Sequence, residues 1–488
     1  MEMSTTQIGI AIIGSGFSGI CMGIKLKNAG ITDFLIFERA SEIGGTWRDN
    51  TYPGVACDVS SHMYSFSFEP NPEWSRMFSP QAEILQYLKN CVKKYEIGPF
   101  IKYNTNITGA EFDEKNTSWN INTRSGEIIT ARTLINGMGP LNRAVVPQLK
   151  GLETFTGKTF HSSEWDHSFD LTDKRVAVIG TGASVIQIVP NIVMKVKALY
   201  LFQRTAPWVL PKPDRNMSTF EKKMFNLLPF TQKLYRYLIY WVLESTALGL
   251  VVNPKWTKLL AKISLKHLKK SVPDIELRKK LTPTYTFGCK RILLSNDYYP
   301  ALSLPHSQVV TSGIDRVEGS IIITKDGNRF KTDAIIFGTG FNAAEFPKDF
   351  VVKGLNGKLL ATEWEQGPEA YLGTIVKHFP NLFFIVGPNT GLGHNSMIFM
   401  IESQVNYIVQ CIKSLHQNGY KYMDVKDSVQ EVYNSEIQKR LEGTVWNSGC
   451  VSWYQTSEGK NTSIYPGFTF QYWKRMKNMK KEDFKWVK

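Results

Sequence analysis

The fold is decided by Ile8-Gly-Ile-Ala-Ile-Ile13, followed directly by Gly14-Ser-Gly16-Phe-Ser-Gly19. A short run of apolar, mostly β-branched residues predicts a buried strand, and the glycine-rich turn after it predicts entry into a helix. In such a turn the first glycine allows the tight bend, and the second lets the backbone approach a pyrophosphate. The third lets the helix pack on the strand, so that the helix N-terminus faces the phosphates of a dinucleotide.

The next expected strand, Phe34 to Phe37, ends at Glu38. A carboxylate at this place accepts hydrogen bonds from ribose hydroxyls, so the unit predicts a dinucleotide with free ribose hydroxyls, such as FAD. A solvated glutamate beside a purely structural glycine turn is the alternative. The complete strand-turn-helix-strand context disfavours that alternative.

A second unit begins with Arg175 to Ile179 before Gly180-Thr-Gly182, and another strand is expected from Ala198 to Phe202. Val185 stands where the third glycine is usual, and we expect its branched side chain to push the helix away from the strand.

Arg204 lies 24 residues after Gly180, the same offset that separates Glu38 from Gly14. A guanidinium at this place clamps a ribose 2′-phosphate, which predicts NADPH rather than NADH. A surface arginine without a ligand is the alternative. Two dinucleotides in one chain indicate electron transfer from nicotinamide to flavin.

Strand signals vanish after Pro211 and helical spacing of apolar residues replaces them until about Pro283. The predicted fold class is therefore α/β, with two Rossmann-like dinucleotide-binding domains and a helical insertion in the NADP domain. The predicted boundaries are 1–142 for the first part of the FAD domain, 150–210 for the first part of the NADP domain, 211–286 for the helical insertion, 287–334 for the second part of the NADP domain, and 335–488 for the second part of the FAD domain with a basic tail.

The 488 residues carry a formal charge of +15, and hydrophobic residues make up 42%, an ordinary globular value. Most of the surplus lies in residues 253–280 and 471–488. No zinc-finger, RNP or basic-zipper pattern is present, so we expect no nucleic-acid partner. Two roles remain open for the basic windows: steering NADPH to its cleft, or peripheral contact with anionic lipid. If the windows contact lipid, we expect Trp473, Phe484 and Trp486 to enter the membrane interface.

The six cysteines are scattered, without C-x-x-C or paired spacing. This pattern predicts neither a disulfide framework nor a metal site, and it favours a reduced, cytoplasmic compartment. The first strand begins too early to leave room for a signal peptide. The most apolar stretch, Tyr237 to Val252, is interrupted by Glu244 and predicts a buried or interfacial helix.

Two longer motifs resemble those of the class B flavoprotein monooxygenases, and within them the Baeyer-Villiger monooxygenases. The family pattern F-x-G-x-x-x-H-x-x-x-W followed by Pro or Asp is matched at Phe155, Gly157, His161, Trp165 and Asp166. A second pattern, G-x-W-x-x-x-x-Y-P-G-x-x-x-D, is matched at Gly45, Trp47, Tyr52, Pro53, Gly54 and Asp58. The N- and S-oxidising relatives usually end the first pattern in Phe or Tyr, so Trp165-Asp166 favours ketone oxygenation.

The resemblance implies FAD and NADPH as cofactors, with O2 and a ketone as substrates. The product is an ester or lactone formed through a flavin peroxide, with sulfide oxidation as a side activity. Hydroxylation of amines or sulfides is the alternative function. The resemblance makes no prediction of oligomeric state.

The resemblance also assigns site residues. Arg291, in Gly288-Cys289-Lys290-Arg291, is the catalytic cation, and Asp58 holds it. His161, with Trp165 in the same motif, couples movement of the NADP domain to the active site. Lys290 and Thr205 join Arg204 at the NADP phosphate. The flavin contacts are Ser18, Glu38, Thr46, Trp47, Asp58, Tyr64 and Ile107. The aromatic run from Trp446 to Tyr454 either shapes the substrate pocket or belongs to the core.

Overall fold

The predicted strand-turn-helix units form two separate sheets in the computed structural model, which describes residues 5–343, 346–347, 349–450 and 452–488. The strands are β1 (Thr5–Ile13), β2 (Phe34–Phe37), β3 (Ile101–Lys102), β4 (Ile107–Asp113), β5 (Ser118–Thr123), β6 (Ile128–Asn136), β7 (Lys158–His161), β8 (Arg175–Ile179), β9 (Ala198–Phe202), β10 (Val209–Leu210), β11 (Leu293–Leu294), β12 (Ser307–Val310), β13 (Ile314–Glu318), β14 (Ile321–Thr324), β15 (Arg329–Lys331), β16 (Ala334–Phe337), β17 (Val351–Lys353), β18 (Leu382–Phe384), β19 (Tyr422–Val425) and β20 (Phe484–Val487). The α-helices are α1 (Phe17–Asn28), α2 (Thr46–Asp49), α3 (Gln81–Lys94), α4 (Val185–Ile192), α5 (Thr219–Leu227), α6 (Pro229–Ser245), α7 (Thr257–Ser271), α8 (Ile275–Lys280), α9 (Tyr298–Leu302), α10 (Leu360–Glu363), α11 (Met397–Gln417), α12 (Asp427–Glu442) and α13 (Thr469–Met476).

The first sheet has a parallel core in the order β3-β2-β1-β6-β18, and β5, β4 and β17 extend it beyond β6. Along β1, Ile10 and Ile12 pack in the core that contains α1, while Ala11 and Ile13 pack in a core on the opposite face. Burial of both faces explains why this strand reads as a continuous apolar run. The helix α11 returns from the C-terminal half to pack on α1.

The second sheet is entirely parallel, in the order β12-β9-β8-β16-β7. Two separate sheets, one with a parallel core and one entirely parallel, confirm the predicted α/β class with two Rossmann-like domains. The boundary expected at residue 335 is too early, because β16 pairs in register with both β7 and β8. The chain therefore leaves the second sheet only after Phe337.

Four helices, α5 to α8, occupy the segment expected to form the helical insertion. The two-residue strand β10 precedes these helices in sequence and β11 follows them. The two strands pair in parallel, Val209 with Leu293, and so bring the two ends of the segment together. A π-helical turn at Leu248–Val252 follows α6. Within the described ranges, no helix combines the length and the apolarity needed to cross a membrane.

Two expectations about the C-terminal half are wrong. Cys289 and Cys450 form a disulfide although their sequence separation is 161 residues, so their spacing carried no signal. Phe484 is buried against the core, and Trp486 packs on Tyr420 with its indole N–H donated to a backbone carbonyl. These two aromatic residues hold β20 in place and are not free to enter a lipid interface.

Candidate functional site

The first glycine turn has the geometry that a pyrophosphate requires. Gly14 has φ +93°, a region that favours glycine, and a Cβ on Gly19 would overlap the Gly14 carbonyl oxygen. Gly16 and Gly45 face each other, since a Cβ on Gly45 would lie 3.3 Å from the Gly16 Cα. The turn, with buried Ser18 in the first turn of α1, therefore presents backbone beside Gly45 and Thr46 at the start of α2.

Glu38 lies at the end of β2, where the sequence placed the ribose-binding carboxylate. It accepts hydrogen bonds from Ser15 N (3.0 Å), Ser15 Oγ (2.7 Å) and Ala40 N (3.0 Å), and it pairs with Arg48 at 2.8 Å. Burial opposes ionisation, but these bonds and Arg48 outweigh it and lower the pKa of Glu38. A fixed carboxylate thus lies beside the phosphate turn.

A cavity of about 520 Å³ opens next to this carboxylate. Ala40 and Arg48, which both bond to Glu38, line it together with Asn106, the residue before Ile107 and β4. The cavity and Glu38 together fit the adenosine half of FAD, while Ile107 is buried and does not line the cavity.

The second turn corrects the expectation about Val185. Gly180 has φ +120°, and a Cβ on Gly182 would meet no heavy atom within 4 Å. Val185 is fully buried without displacing the helix, because its methyl group occupies the space that a side chain on Gly338 would need. A glycine on the neighbouring strand end thus supplies the room that the third glycine of the turn normally provides.

Two cations meet at the end of β9. Arg204 is exposed and makes no ion pair with any described residue, and Lys290 Nζ lies 5.1 Å from the Tyr285 ring centroid. Burial, and then repulsion from Arg204, lowers the pKa of Lys290. The carbonyl of Thr205 accepts a 3.1 Å hydrogen bond from Thr181 in the glycine turn. Two neighbouring cations without an acidic partner beside a phosphate turn fit a 2′-phosphate.

The motif from Gly45 to Asp58 forms the joint between the two domains. Tyr52 donates a 3.0 Å hydrogen bond to Gln187 of α4, and the Gln187 amide donates at 3.0 Å to the carbonyl of Ala56. Gly54 has φ +82°, and a Cβ there would overlap Asn191 and lie 2.9 Å from the Gln187 carbonyl oxygen. Glycine at this position is therefore required by the close approach of α4. Gln187 has no counterpart in the motifs, and the sequence reasoning missed it.

Arg291 and Asp58 form a two-pronged ion pair across this joint. Nε and Nη2 of Arg291 donate to the carboxylate at 2.6–2.9 Å, while the arginine side chain remains 38% exposed. Asp58 raises the pKa of Arg291, which keeps the guanidinium charged. Nη1 makes no hydrogen bond to the described residues and remains available to an anion.

Aromatic side chains lie beside the ion pair. Trp47 donates its indole N–H to Tyr64 Oη at 3.2 Å, and their ring centroids are 5.5 Å apart. Burial raises the pKa of Tyr64 and raises that of Tyr454 to about 12, with Arg291 opposing both shifts. Tyr454 belongs to the aromatic C-terminal run, so this run reaches the site.

The disulfide is a second link, besides Tyr454, between the C-terminal run and the Arg291 segment. Cys289 lies two residues before Arg291, and Cys450 lies four residues before Tyr454. The cross-link therefore holds the segment that carries the catalytic candidate against the C-terminal run.

His161 lies where the chain passes between the domains. Its Nδ1 is 2.8 Å from Ser163 Oγ, and its ring packs edge-on against Phe341 at 5.4 Å. Nε2 lies near the Gly340 backbone but makes no well-formed hydrogen bond to a described residue. Burial lowers the pKa of His161, which favours the neutral ring. Since Phe341 pairs with Ala144 on the other connecting segment, His161 contacts both domain connections through it.

Trp165 is partly buried and packs against the core of the second domain. Its ring contacts Phe160 of β7 edge-on at 5.0 Å. Asp166 pairs with Lys158 at 2.7 Å and so closes the motif onto the same strand. Both ends of the motif therefore contact β7, whose last residue is His161.

Comparisons with known proteins agree with the predicted family. The flavin-binding monooxygenase-like family model matches residues 7–363. A Baeyer-Villiger monooxygenase of Pseudomonas aeruginosa is 50% identical over 465 residues, which cover 95% of this chain and 88% of that protein. A second, from Streptomyces coelicolor, is 44% identical over 473 residues, covering 96% and 91%.

Solved structures agree as well. OTEMO in complex with FAD and NADP superimposes with a TM-score of 0.88 at 26% identity, covering 98% of this chain and 99% of that one. An oxidized steroid monooxygenase bound to NADP gives 0.88 at 26% identity, covering 99% and 100%. The chain therefore belongs to the flavin-binding monooxygenase-like family, among its Baeyer-Villiger monooxygenases.

Proposed function

We propose that this enzyme uses FAD, NADPH and O2 to insert one oxygen atom beside a ketone carbonyl, giving an ester or lactone and water. The observation that carries the proposal is the Arg291–Asp58 ion pair at the joint between the two candidate dinucleotide sites. The two sites differ in the residue that would meet the ribose, an acidic one in the first and a basic pair in the second. Glu38 favours a dinucleotide with free ribose hydroxyls, and Arg204 with Lys290 favours one with a 2′-phosphate.

Bound flavin supplies the redox chemistry, accepting electrons from nicotinamide and passing them to O2. The chain supplies orientation and charge. Asp58 fixes the Arg291 guanidinium through Nε and Nη2. Nη1 would then be held ready to stabilise negative charge that develops on oxygen beside the bound flavin. Buried Trp47 and Tyr454, with Tyr64 beside them, lower the local polarity next to the guanidinium, which strengthens its attraction to an anion.

His161 transmits movement of the second domain rather than a proton. Its neutral ring and its packing on Phe341 of the connecting segment support this role. Arg204, Lys290 and Thr205 hold the NADPH phosphate. Sulfide oxidation is a proposed side activity, and amine or sulfide hydroxylation is the alternative function, which product analysis with paired ketone and sulfide substrates distinguishes.

We place the enzyme in the cytoplasm. Cys21, Cys57, Cys91 and Cys411 are free and buried, which suits a reducing compartment, although Cys289–Cys450 shows that one pair is positioned for oxidation.

The test is Arg291→Ala, with Arg316→Ala as a matched control on the exposed strand β13. We expect Arg291→Ala to keep its flavin absorbance and its reduction by NADPH but to release no ester, while the control behaves as wild type. Normal ester formation by Arg291→Ala would overturn the assigned role.

A further inference from the structure

Helix α6 has its polar residues facing inward and its apolar residues facing outward. Gln232, Arg236, Tyr240 and Glu244 recur every four residues, which places them on one side of the helix. All four bond to the protein body: Gln232 to the Asn71 carbonyl at 2.7 Å, Arg236 to the Ser65 carbonyl at 3.0 Å, and Tyr240 to Thr469 Oγ1 at 3.0 Å. Glu244 accepts a 2.8 Å bond from that same threonine hydroxyl.

The opposite side of α6 is exposed and apolar. We call it the outer face, made of Phe230, Leu234, Tyr237, Leu238, Trp241 and Val242. Val242 is 68% exposed and Phe230 is 64% exposed. An ordinary surface helix shows the reverse arrangement, and contiguous exposed apolar residues of this kind mark an interaction surface.

The apolar surface continues beyond α6. Phe470 of α13 contacts Trp241 with ring centroids 6.1 Å apart. Farther along the chain, Val252, Trp256 and Leu259 are each more than half exposed. The surface therefore includes the π-helical turn and the start of α7 as well as the outer face.

Lysines accompany this surface and have no acidic partners. Residues 216–271 contain nine lysines, and none of them forms an ion pair with a described residue. The two acidic residues of this range are engaged: Glu221 pairs with Arg215, and Glu244 is buried. On α7, the exposed Lys258, Lys262 and Lys266 alternate with exposed Leu259 and Ile263.

We propose that the outer face and the α7 lysines dock the enzyme peripherally on an anionic phospholipid bilayer. Exposed Trp, Tyr and Phe beside a lysine-rich strip suit the boundary between headgroups and acyl chains. A second copy of the chain fits less well, because a two-fold contact would bring the same unpaired lysines against each other.

The π-helical turn connects the proposed docking surface to the segment that carries Arg291. Leu250 of the π-helical turn lies against Gly288, whose added Cβ would lie 2.6 Å from Leu250 Cδ2. Gly288 is three residues before Arg291. If the proposed ketone oxygenation holds, substrates that partition into lipid reach the site from this side; bilayer docking itself does not depend on that reaction.

The test is co-sedimentation of the full-length enzyme with vesicles of phosphatidylcholine and phosphatidylglycerol, and with phosphatidylcholine alone. We expect binding to the mixed vesicles that weakens as salt is raised. Reversing Lys258, Lys262 and Lys266 to Glu should lower the partition constant by at least about a hundredfold. Trp241→Ser with Val242→Ser should lower it by a similar order.

Two matched controls keep surface chemistry but lie elsewhere. Met194→Ser with Val432→Ser removes exposed apolar side chains, and Lys325→Glu with Lys331→Glu reverses exposed charges. Both should sediment as wild type. No wild-type sedimentation, or equal losses in the controls, would overturn the proposal. Self-association that the Trp241 and Val242 substitutions abolish, without vesicle binding, would overturn it in favour of a second copy.

Discussion

Arg204→Ala should raise KM for NADPH but leave KM for NADH unchanged. The exposed guanidinium has no protein partner among the described residues, so its removal leaves no unpaired group behind. Loss of one charge-assisted contact to a phosphate at an exposed site costs about 1.5–2 kcal/mol, which is about a ten- to thirtyfold rise in KM for NADPH. NADH lacks the 2′-phosphate, so its KM should not change.

The pH dependence gives a second readout of the same substitution. Arg204 helps to lower the pKa of Lys290, and a charged Lys290 is the form that binds phosphate. Without Arg204 the pKa of Lys290 rises, so the alkaline loss of NADPH affinity should move to higher pH. The assay is steady-state oxidation of both nucleotides across pH, with Arg329→Ala on β15 as control. Equal changes in KM for NADPH and NADH would refute the 2′-phosphate site. A shift of the alkaline loss of NADPH affinity to lower pH would also refute it.

Asp58→Asn should release Arg291 and lower the ester yield per NADPH oxidised by about ten- to a hundredfold, while NADPH is still consumed. An unchanged ratio of ester formed to NADPH oxidised would contradict the role of the ion pair. Gly54→Ala should lower thermal stability by about 1–3 kcal/mol more than Gly126→Ala, because both glycines have positive φ but only Gly54 faces a close neighbour. Equal melting temperatures for the two variants would exclude the close approach. Burial raises the pKa of Asp424 from 3.8 to about 7, so the folded state retains a proton that the unfolded chain loses. This contribution to stability is complete below about pH 4 and is lost as the pH rises through about 7. Asp424→Asn should therefore reduce the fall in melting temperature between about pH 4 and about pH 7. The same fall in the variant as in the wild type would contradict the raised pKa.

Local patterns predicted the parts of the fold that depend on local physics. The strands β2, β8 and β9 have the bounds expected from their apolar runs, because burial on both faces leaves a plain signal. The place of Glu38, at the end of β2 and within hydrogen-bond distance of Ser15 in the glycine turn, followed from the pattern in the same way, and its role at a ribose stays a prediction. The Arg291–Asp58 pair was expected from the family resemblance, and the structure brings the two side chains together.

Features that depend on distant residues were beyond sequence reasoning. Val185 fits because Gly338 lies opposite, and the domain joint depends on Gln187 meeting the carbonyl of Ala56. The disulfide joins residues whose spacing carries no information. The inverted polarity of α6 did leave a signal: polar residues at every fourth position within an apolar stretch predict which side faces the protein.

Turnover of a ketone under heavy-isotope O2 tests the central claim most directly. We expect a purified protein with flavin absorbance that consumes NADPH and O2 in equal amounts. We also expect an ester or lactone that carries a single oxygen atom from O2. A flavin-containing protein that consumes NADPH but returns the ketone unchanged, or an ester whose new oxygen comes from water, would contradict the account.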